Sequence, residues 1–279
     1  MTCIMIWRNR EPSQDDIWAV ADTRVSKDES GSCALTDEAP KLFSVPVRCF
    51  KPPATGGFFS EKCYDGSIGL AFAGSTLLAH STVLAVSPLL ASLATLGALP
   101  DLSDIASFVS MFLKRYTLDV NQTTAIGKPT LSEMAVFGRS PVDGNLKIFI
   151  IRPRLELAPF DLDVVQFDHS QADSVLYLGD HKADMNAHVK SEREKHTVGD
   201  LAWWRAPHSV LKQIVQDAAY SSIGGSEQLG ITQGQNFDLH LPVLPVQQGA
   251  PYSTMKYLGI ELPPNGLVGP CFIGMPGMH

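Results

Sequence analysis

The threonine at the second position of the chain, in the opening segment MTCIMIWRNR, can act as a nucleophile if Met1 is removed. A threonine hydroxyl is a poor nucleophile until a base takes its proton, and the α-amine of the same residue can serve as that base. An α-amine has an ordinary pKa of about 7.7 to 8, so a useful fraction is neutral near pH 7. Aminopeptidases remove an initiator methionine that precedes a small residue, and Thr2 qualifies. The alternative interpretation is that Thr2 is the β-branched first residue of a strand.

Four other residues with metal-binding or acid–base side chains lie close together in the sequence: His169, Asp180, His181 and Asp184. Their spacing matches no zinc signature, which favours a solvated surface turn. The eight histidines leave a Ser-His-Asp triad open, but the chain contains no G-x-S-x-G segment. We therefore predict chemistry that requires no metal and no organic cofactor, with Thr2 as the leading nucleophile.

The elements that must position Thr2 follow from the hydrophobic pattern, which predicts strands, two helices, strands, two helices and final strands. The apolar runs CIMIW and IWAVAD, separated by RNREPSQDD, predict a hairpin, and SIGLAFAG predicts a buried strand. Apolar residues at spacings of three and four predict helices over 76–98 and 103–116, the second capped by Ser103. EMAVFGR and LKIFIIRPR predict a second hairpin with a tight Asp143-Gly144 turn. Further segments predict two strands, DVVQFD and SVLYLG, and two helices, ADMNAHVKSEREKHTVGDL and APHSVLKQIVQDAAYSS.

Four segments precede the first long helix in a recognisable order: MTCIMIWRN, ADTRVS, EAPKLF and GLAFAGST. With threonine at position 2, this order resembles the β-subunit family of the proteasome and its bacterial relatives. The nearest groups are the bacterial two-part ATP-dependent protease and the ancestral β-subunit group. Further along the chain, YSSIGGSEQLGI is similar to the family's Ser-x-Gly-Gly segment. The resemblance implies an N-terminal nucleophile (Ntn) hydrolase of the α+β class, with a four-layer αββα sandwich of two antiparallel sheets flanked by helices.

The resemblance also implies five catalytic residues: Thr2, Asp22, Lys41, Gly74 and Ser222. Thr2 is expected to attack a carbonyl, the Lys41 cation to lower the pKa of the hydroxyl and the amine, and Asp22 to compensate the buried ammonium. The backbone N–H of Gly74 is expected to hold the oxyanion, because a glycine lets the main chain approach the substrate closely. Ser222 is expected to orient the α-amine.

One competing residue and two departures from the family's pattern accompany this assignment. Lys27 is the competing lysine, but it lies among polar residues, whereas Lys41 adjoins an apolar segment suited to burial. The segment LGDH stands where the family carries a Gly-Ser-Gly turn, so either Asp180 replaces the serine or the supporting shell is absent. The family's aspartate before the Ser-Gly-Gly segment has no clean match, since Tyr220 lies near its place and Asp217 lies further back.

These residues predict a threonine peptidase that acts on peptides or proteins. Two alternatives stay open: an amidase or acyl transferase that uses the same nucleophile on small amides, and a catalytically inactive assembly protein. The resemblance implies a homo-oligomer, as a ring or stacked rings. An ATPase or adaptor partner is left open, since nothing in the chain encodes one.

Composition restricts the partners and the location. The net charge of −7 and the absence of Lys/Arg clusters argue against a nucleic-acid partner. The stretch 77–100 has the length of a membrane span, but its polar residues and missing basic anchors favour a buried helix. The odd number of scattered cysteines and the lack of a secretory pattern predict a cytoplasmic protein. We predict a domain over 1–240 with an insertion near 47–66, and a Pro/Gly-rich extension over 241–279.

Overall fold

The computed structural model describes residues 2–12, 14–27, 33–123, 130–154, 160–242, 256–262 and 267–278. The helices of these residues are α1 (Thr76–Leu90), α2 (Leu102–Thr123), α3 (Lys182–Arg193) and α4 (Leu201–Asp217). The strands are β1 (Cys3–Asn9), β2 (Asp16–Asp22), β3 (Val25–Ser26), β4 (Ala34–Thr36), β5 (Leu42–Lys51), β6 (Glu61–Gly74), β7 (Leu93–Ala94), β8 (Ser132–Arg139), β9 (Leu146–Arg154), β10 (Asp161–Gln166), β11 (Val175–Gly179), β12 (Glu227–Gln233), β13 (Asn236–Pro242), β14 (Lys256–Tyr257), β15 (Ile260–Glu261), β16 (Leu267–Val268), β17 (Cys271–Phe272) and β18 (Gly277–Met278).

Two six-stranded sheets dominate the described part of the chain. Sheet I has the order β11-β1-β2-β12-β13-β18, and sheet II has the order β10-β9-β8-β6-β5-β7. Neighbouring strands are antiparallel except at one edge of each sheet, where β18 runs parallel to β13 and β7 runs parallel to β5. In sheet I, β1 lies between β11 and β2, which places Thr2 beside these two strands.

Three apolar clusters hold the helices and sheets together. Adjacent side chains of a strand point to opposite faces of its sheet, so Ile6 and Trp7 of β1 contribute to different clusters. Trp7 packs with α3 and α4 on one face of sheet I. Ile6 belongs with Phe137 of β8 to a cluster shared by the two sheets. Phe72 of β6 belongs to the third cluster, which joins α1 and α2 to sheet II.

The predicted α+β class is confirmed, and so are both predicted hairpins. The β1–β2 pairing runs to Asn9 opposite Asp16, and the β8–β9 pairing runs to Arg139 opposite Leu146. Gly144 closes the second turn at φ +69, a left-handed conformation that glycine adopts without steric cost. The expectation of purely antiparallel sheets is wrong at their edges, where short strands dock parallel to a long neighbour.

The predicted ends of the first two helices are wrong. α1 stops at Leu90 rather than at residue 98, because the chain after it turns into β7 and pairs with β5. α2 runs on to Thr123 and is capped by Asp101 instead of Ser103. The Asp101 carboxylate accepts the Ser103 N–H at 2.8 Å, so Ser103 is the second residue of the helix and not its cap. None of the described helices is long and apolar enough to cross a membrane.

The division into a domain over 1–240 and an extension over 241–279 stays a prediction. Residues 47–66 contain the distal, paired ends of β5 and β6 and the connection between them. In the described part of the extension, β18 adds to the edge of sheet I and β14 pairs with β15. Residues 243–255 and 263–266 of the extension lie outside the described residues.

Candidate active site at the start of the chain

Thr2 lies immediately before β1 and is only 3% exposed. Its main-chain N–H donates to the Asp180 carboxylate at 3.2 Å, and its carbonyl accepts the Asp180 N–H at 2.9 Å. While Met1 is attached, this nitrogen belongs to a peptide bond. Removal of Met1 would turn the same atom into a primary amine beside the Asp180 carboxylate.

Gly179 allows β11 to come this close to Thr2. Its φ of +90 lies in the region that favours glycine, and a Cβ added there would be 1.9 Å from the Thr2 carbonyl oxygen. Any side chain at position 179 would push Asp180 away from the start of the chain. The sequence pattern gave no role to Gly179, although a glycine that directly follows an apolar run was the available signal.

Asp22 and Lys41 form a fully buried ion pair. The Lys41 Nζ lies 2.8 Å from Asp22 Oδ1, and the side chains are 1% and 0% exposed. Asp22 also accepts the N–H groups of Cys3 at 2.9 Å, Gly224 at 3.2 Å and Arg24 at 3.3 Å. A buried carboxylate needs such partners, because an unpaired charge in the interior is costly. The competing Lys27 is exposed.

The buried charges of Asp22 and Lys41 act on each other and on the thiol of Cys3. Burial lowers the pKa of Lys41, and the charge of Asp22 and its hydrogen bond oppose that shift. Burial, with the charge of Asp22 as the next cause, raises the pKa of the Cys3 thiol far above its ordinary value. Since a thiolate is the reactive form of cysteine, Cys3 is held inert next to Thr2. A thiol with so high a pKa is not expected to compete with Thr2 as the nucleophile.

Gly74 is an exposed residue that ends β6, and only Ser75 separates it from α1. Its φ is +105, and an added Cβ would lie 2.5 Å from the Leu131 carbonyl oxygen, so no other residue fits without a shift of the main chain. Ser75 then caps α1 by accepting the Leu78 N–H at 3.4 Å. A glycine at a helix entry can bring its main chain close to an anion.

Ser222 is 1% exposed, and its hydroxyl has no hydrogen-bond partner among the described residues. The hydrogen-bond partner of the Thr2 nitrogen is the Asp180 carboxylate. Asp217 lies at the end of α4, in a groove between α3 and α4 that Tyr220 also lines. The orienting role expected of Ser222 stays a prediction, and the observed geometry gives Asp180 the direct contact.

Two residues that the sequence did not indicate, Arg24 and Gln228, hold the segments around the ion pair. Arg24 makes a two-pronged ion pair with Asp37, at 2.7 and 3.1 Å, and also donates to the Ser221 carbonyl at 3.1 Å. Gln228 accepts the N–H of Lys41 at 2.7 Å and thereby fixes the main chain where β5 begins. The only available signal was the position of Arg24 two residues after Asp22, since Asp37 and Gln228 are distant in sequence.

No family model and no curated protein matches the chain. Solved structures of Anbu proteins do match. The chain is similar to the helical assembly of the Anbu complex from Pseudomonas aeruginosa, with 14% identity, a TM-score of 0.56 and 86% of each chain covered. It is similar to an Anbu (Gly-1) mutant from Hyphomicrobium sp. strain MC1, with 14% identity, a TM-score of 0.53, and 86% of this chain and 84% of that chain covered.

A third match is Anbu from Yersinia bercovieri, described as an ancestral beta-subunit, with 12% identity, a TM-score of 0.50, and coverage of 86% of this chain and 82% of that one. At such identities the likeness shows the fold alone. The assignment from the sequence, to a proteasome β-subunit-like Ntn hydrolase family of bacterial proteasome-related peptidases, is wrong, because these matches are Anbu proteins, a different class. The segment ADTRVS covers the end of β2 and the whole of β3, so it reports local structure and does not by itself define a class.

Proposed function

We propose that the chain is an N-terminal threonine peptidase that hydrolyses peptide bonds after removal of Met1. The Thr2 hydroxyl attacks the substrate carbonyl carbon, and the Thr2 amine takes the hydroxyl proton. The Gly74 N–H stabilises the oxyanion, and the amine then gives the proton to the departing amine. Water, deprotonated by the same amine, hydrolyses the ester and releases the acid. Lys41 with Asp22 keeps a cation beside these steps.

The observation that carries this proposal is the buried Asp22–Lys41 pair directly under the first residues of the chain. The pair is 2.8 Å apart, and Asp22 holds the Cys3 N–H at 2.9 Å, so its charge is fixed relative to Thr2. Charged groups placed in a dry interior act more strongly on a neighbouring hydroxyl than they would in water. Burying two charges without a chemical use would give a small stability gain at best.

An unpaired strand edge supports a peptide substrate over a small amide. β3 follows Asp22 after two residues and, among the described strands, pairs with β4 alone. An extended peptide can add to such an edge through main-chain hydrogen bonds, as in strand addition. A small amide would gain nothing from that edge.

We further propose that the helix pairs and sheets form a four-layer αββα sandwich and that copies of the chain assemble. The support for assembly is the fold shared with a protein described as a helical assembly of the Anbu complex. Light scattering should then give a mass that is a multiple of 30.3 kDa, whereas a monomer in dilute buffer would contradict it. The five free cysteines support a cytoplasmic location.

Hydrolysis assays test the activity directly. Purified protein should cleave fluorogenic peptides faster than small chromogenic amides, Thr2→Ser should retain part of the rate, and Thr2→Ala should lose it. Both variants keep a small second residue, so removal of Met1 is matched among the three proteins. A Thr2→Ala protein that cleaves peptides at the wild-type rate would exclude the proposed nucleophile.

A second candidate, an inactive assembly protein, is favoured by one observation. The partner of the Thr2 nitrogen is a carboxylate, which favours the charged form of an amine and so weakens it as a base. Under this candidate, intact mass would show Met1 retained, and no peptide would be cleaved.

A further inference from the structure

Glu133 of β8 connects the two sheets next to the candidate site. Its Oε1 accepts the N–H of Gly179 at 2.7 Å, although Gly179 belongs to β11 of sheet I and Glu133 to sheet II. The carboxylate also pairs with the Lys182 ammonium at 2.8 Å, and the two side chains are 19% and 45% exposed. The catalytic steps proposed for Thr2 do not use any of these groups.

On the sheet I side, this hydrogen bond controls the segment that carries Asp180. Gly179 is pressed against the Thr2 carbonyl, and Asp180 exchanges two hydrogen bonds with Thr2, at 2.9 and 3.2 Å. A movement of Gly179 therefore moves the groups that hold the nucleophile. A glycine at a strand end with φ +90 has no side chain to anchor it, so an external acceptor for its N–H fixes its position.

On the sheet II side, Glu133 lies next to the glycine proposed to hold the oxyanion. Residues 73 and 74 of β6 pair with Glu133 and Ser132 of β8 in register. The ladder thereby fixes Gly74 relative to the main chain of Glu133. One side chain thus spans the gap between the strand that carries Gly74 and the segment that holds Thr2.

We infer that Glu133 is a positioning residue that sets the separation between the Thr2 hydroxyl and the Gly74 N–H. This inference rests on the proposed function. Attack on a carbonyl requires the nucleophile and the oxyanion donor to reach the same substrate group, and a displacement of about 1 Å can cost roughly 100-fold in rate. The acceptor oxygen, not the negative charge, performs this role, because the Gly179 N–H needs only an acceptor.

Three variants of the full chain separate the hydrogen bond from the ion pair. Glu133→Ala removes both, Glu133→Gln keeps an oxygen acceptor for Gly179, and Lys182→Met removes the ion pair alone. The probe is a β-lactone. The rate at which it acylates Thr2 is measured by intact-mass spectrometry at a range of probe concentrations. The limiting rate and the half-saturating concentration then report chemistry and binding separately.

The limiting rate of Glu133→Ala should fall by about 10-fold to about 100-fold at an unchanged half-saturating concentration. Glu133→Gln and Lys182→Met should stay within about fivefold of wild type, since an exposed ion pair contributes little. A Glu133→Ala protein that acylates at the wild-type rate would overturn the inference, and so would a Glu133→Gln protein as slow as Glu133→Ala.

Amide hydrogen exchange keeps the inference testable if wild-type Thr2 does not acylate, a result that would defeat the proposed function alone. The Gly179 and Asp180 amides should then exchange at least about 10-fold faster in Glu133→Ala than in Glu133→Gln, because only the former loses the acceptor. Equal exchange in the two folded variants would overturn the inference.

Discussion

The ammonium of Lys41 is stable in the interior because the Asp22 carboxylate lies 2.8 Å away and is itself held by three backbone N–H groups. Removing one partner leaves the other buried and unpaired, which is far more costly than removing both. This asymmetry lets the structural contribution of each residue be separated from its effect on chemistry.

Lys41→Met should lower the free energy of unfolding by about 3 to 5 kcal/mol, because the Asp22 carboxylate would stay buried without its cation. The double variant Asp22→Asn with Lys41→Met should recover most of that loss, and neither protein should acylate Thr2. Urea unfolding of the three proteins measures the stability. A Lys41→Met protein as stable as wild type would show that Lys41 is not held in the interior.

The proposed chemistry of Thr2 should depend on pH through Asp180. The carboxylate accepts a hydrogen bond from the Thr2 nitrogen, and after removal of Met1 it would favour the charged form of the amine, whereas the Lys41 cation would favour the neutral form. Since only the neutral amine can act as a base, the rate of acylation should rise with pH through the pKa of the amine.

Asp180→Asn should therefore move the rising part of the rate–pH profile to lower pH by about one unit or more. The measurement is the rate of acylation by a β-lactone between about pH 5 and about pH 9, a range that includes the ordinary α-amine pKa of about 7.7 to 8. Asp184→Asn, a change to an exposed carboxylate four residues away, serves as the control and should leave the profile in place. A profile unmoved by Asp180→Asn would exclude its contact with the amine.

At the level of the elements, a buried carboxylate joins the β1–β2 hairpin to α4. Glu11 in the hairpin turn is 4% exposed, accepts from Arg205 of α4 at 2.6 and 2.8 Å, and accepts from Asn9 at 2.9 Å. Burial alone would raise the pKa of Glu11, but the hydrogen bonds from Arg205 and Asn9 hold it below its ordinary value. A lowered pKa in the folded chain means that the stability is present at neutral pH.

Glu11→Gln should therefore lower the free energy of unfolding by about 1 kcal/mol at pH 7, a value reduced by the solvent exposure of Arg205. The difference from wild type should shrink as the pH falls below the ordinary glutamate pKa of about 4.3, because the wild-type carboxylate then takes up a proton on unfolding. Urea unfolding of both proteins at pH 7 and at a pH below the ordinary glutamate pKa measures this difference in stability. Glu61→Gln, at an exposed ion pair, is the control and should change stability by less than about 0.5 kcal/mol.

The sequence predicted those features that depend on local patterns, such as the hairpins and the placement of Lys41 beside an apolar strand. It did not predict where α1 ends, because β7 forms by pairing with the distant β5. The contact between Gly179 and Glu133 could not be predicted for the same reason, since it joins two sheets. The role of Asp180 was one of two open alternatives, and only the tertiary contact with Thr2 favours it.

At the level of the whole molecule, the candidate site exists only when the two sheets are packed together. Thr2 immediately precedes β1 and Asp22 ends β2 of sheet I, while Lys41 immediately precedes β5 and Gly74 ends β6 of sheet II. The reactive arrangement therefore depends on the cluster between the sheets, which contains Ile6 and Phe137.

Acylation of Thr2 should accordingly be lost at the same urea concentration at which the protein unfolds. Trp7 and Trp18 are buried between sheet I and its helices, so their fluorescence reports that transition. Coincident curves are the mark of a single cooperative unit. Loss of acylation at a urea concentration well below that of the fluorescence change would show that the site lies on a segment that unfolds separately.

The most direct test of the central claim is mass spectrometry of the purified protein before and after treatment with a β-lactone. The mass should lack Met1, and a single adduct should map to Thr2 and be absent from Thr2→Ala. A protein that retains Met1 completely, or an adduct that maps elsewhere, would contradict the claim that the amine and hydroxyl of Thr2 act together.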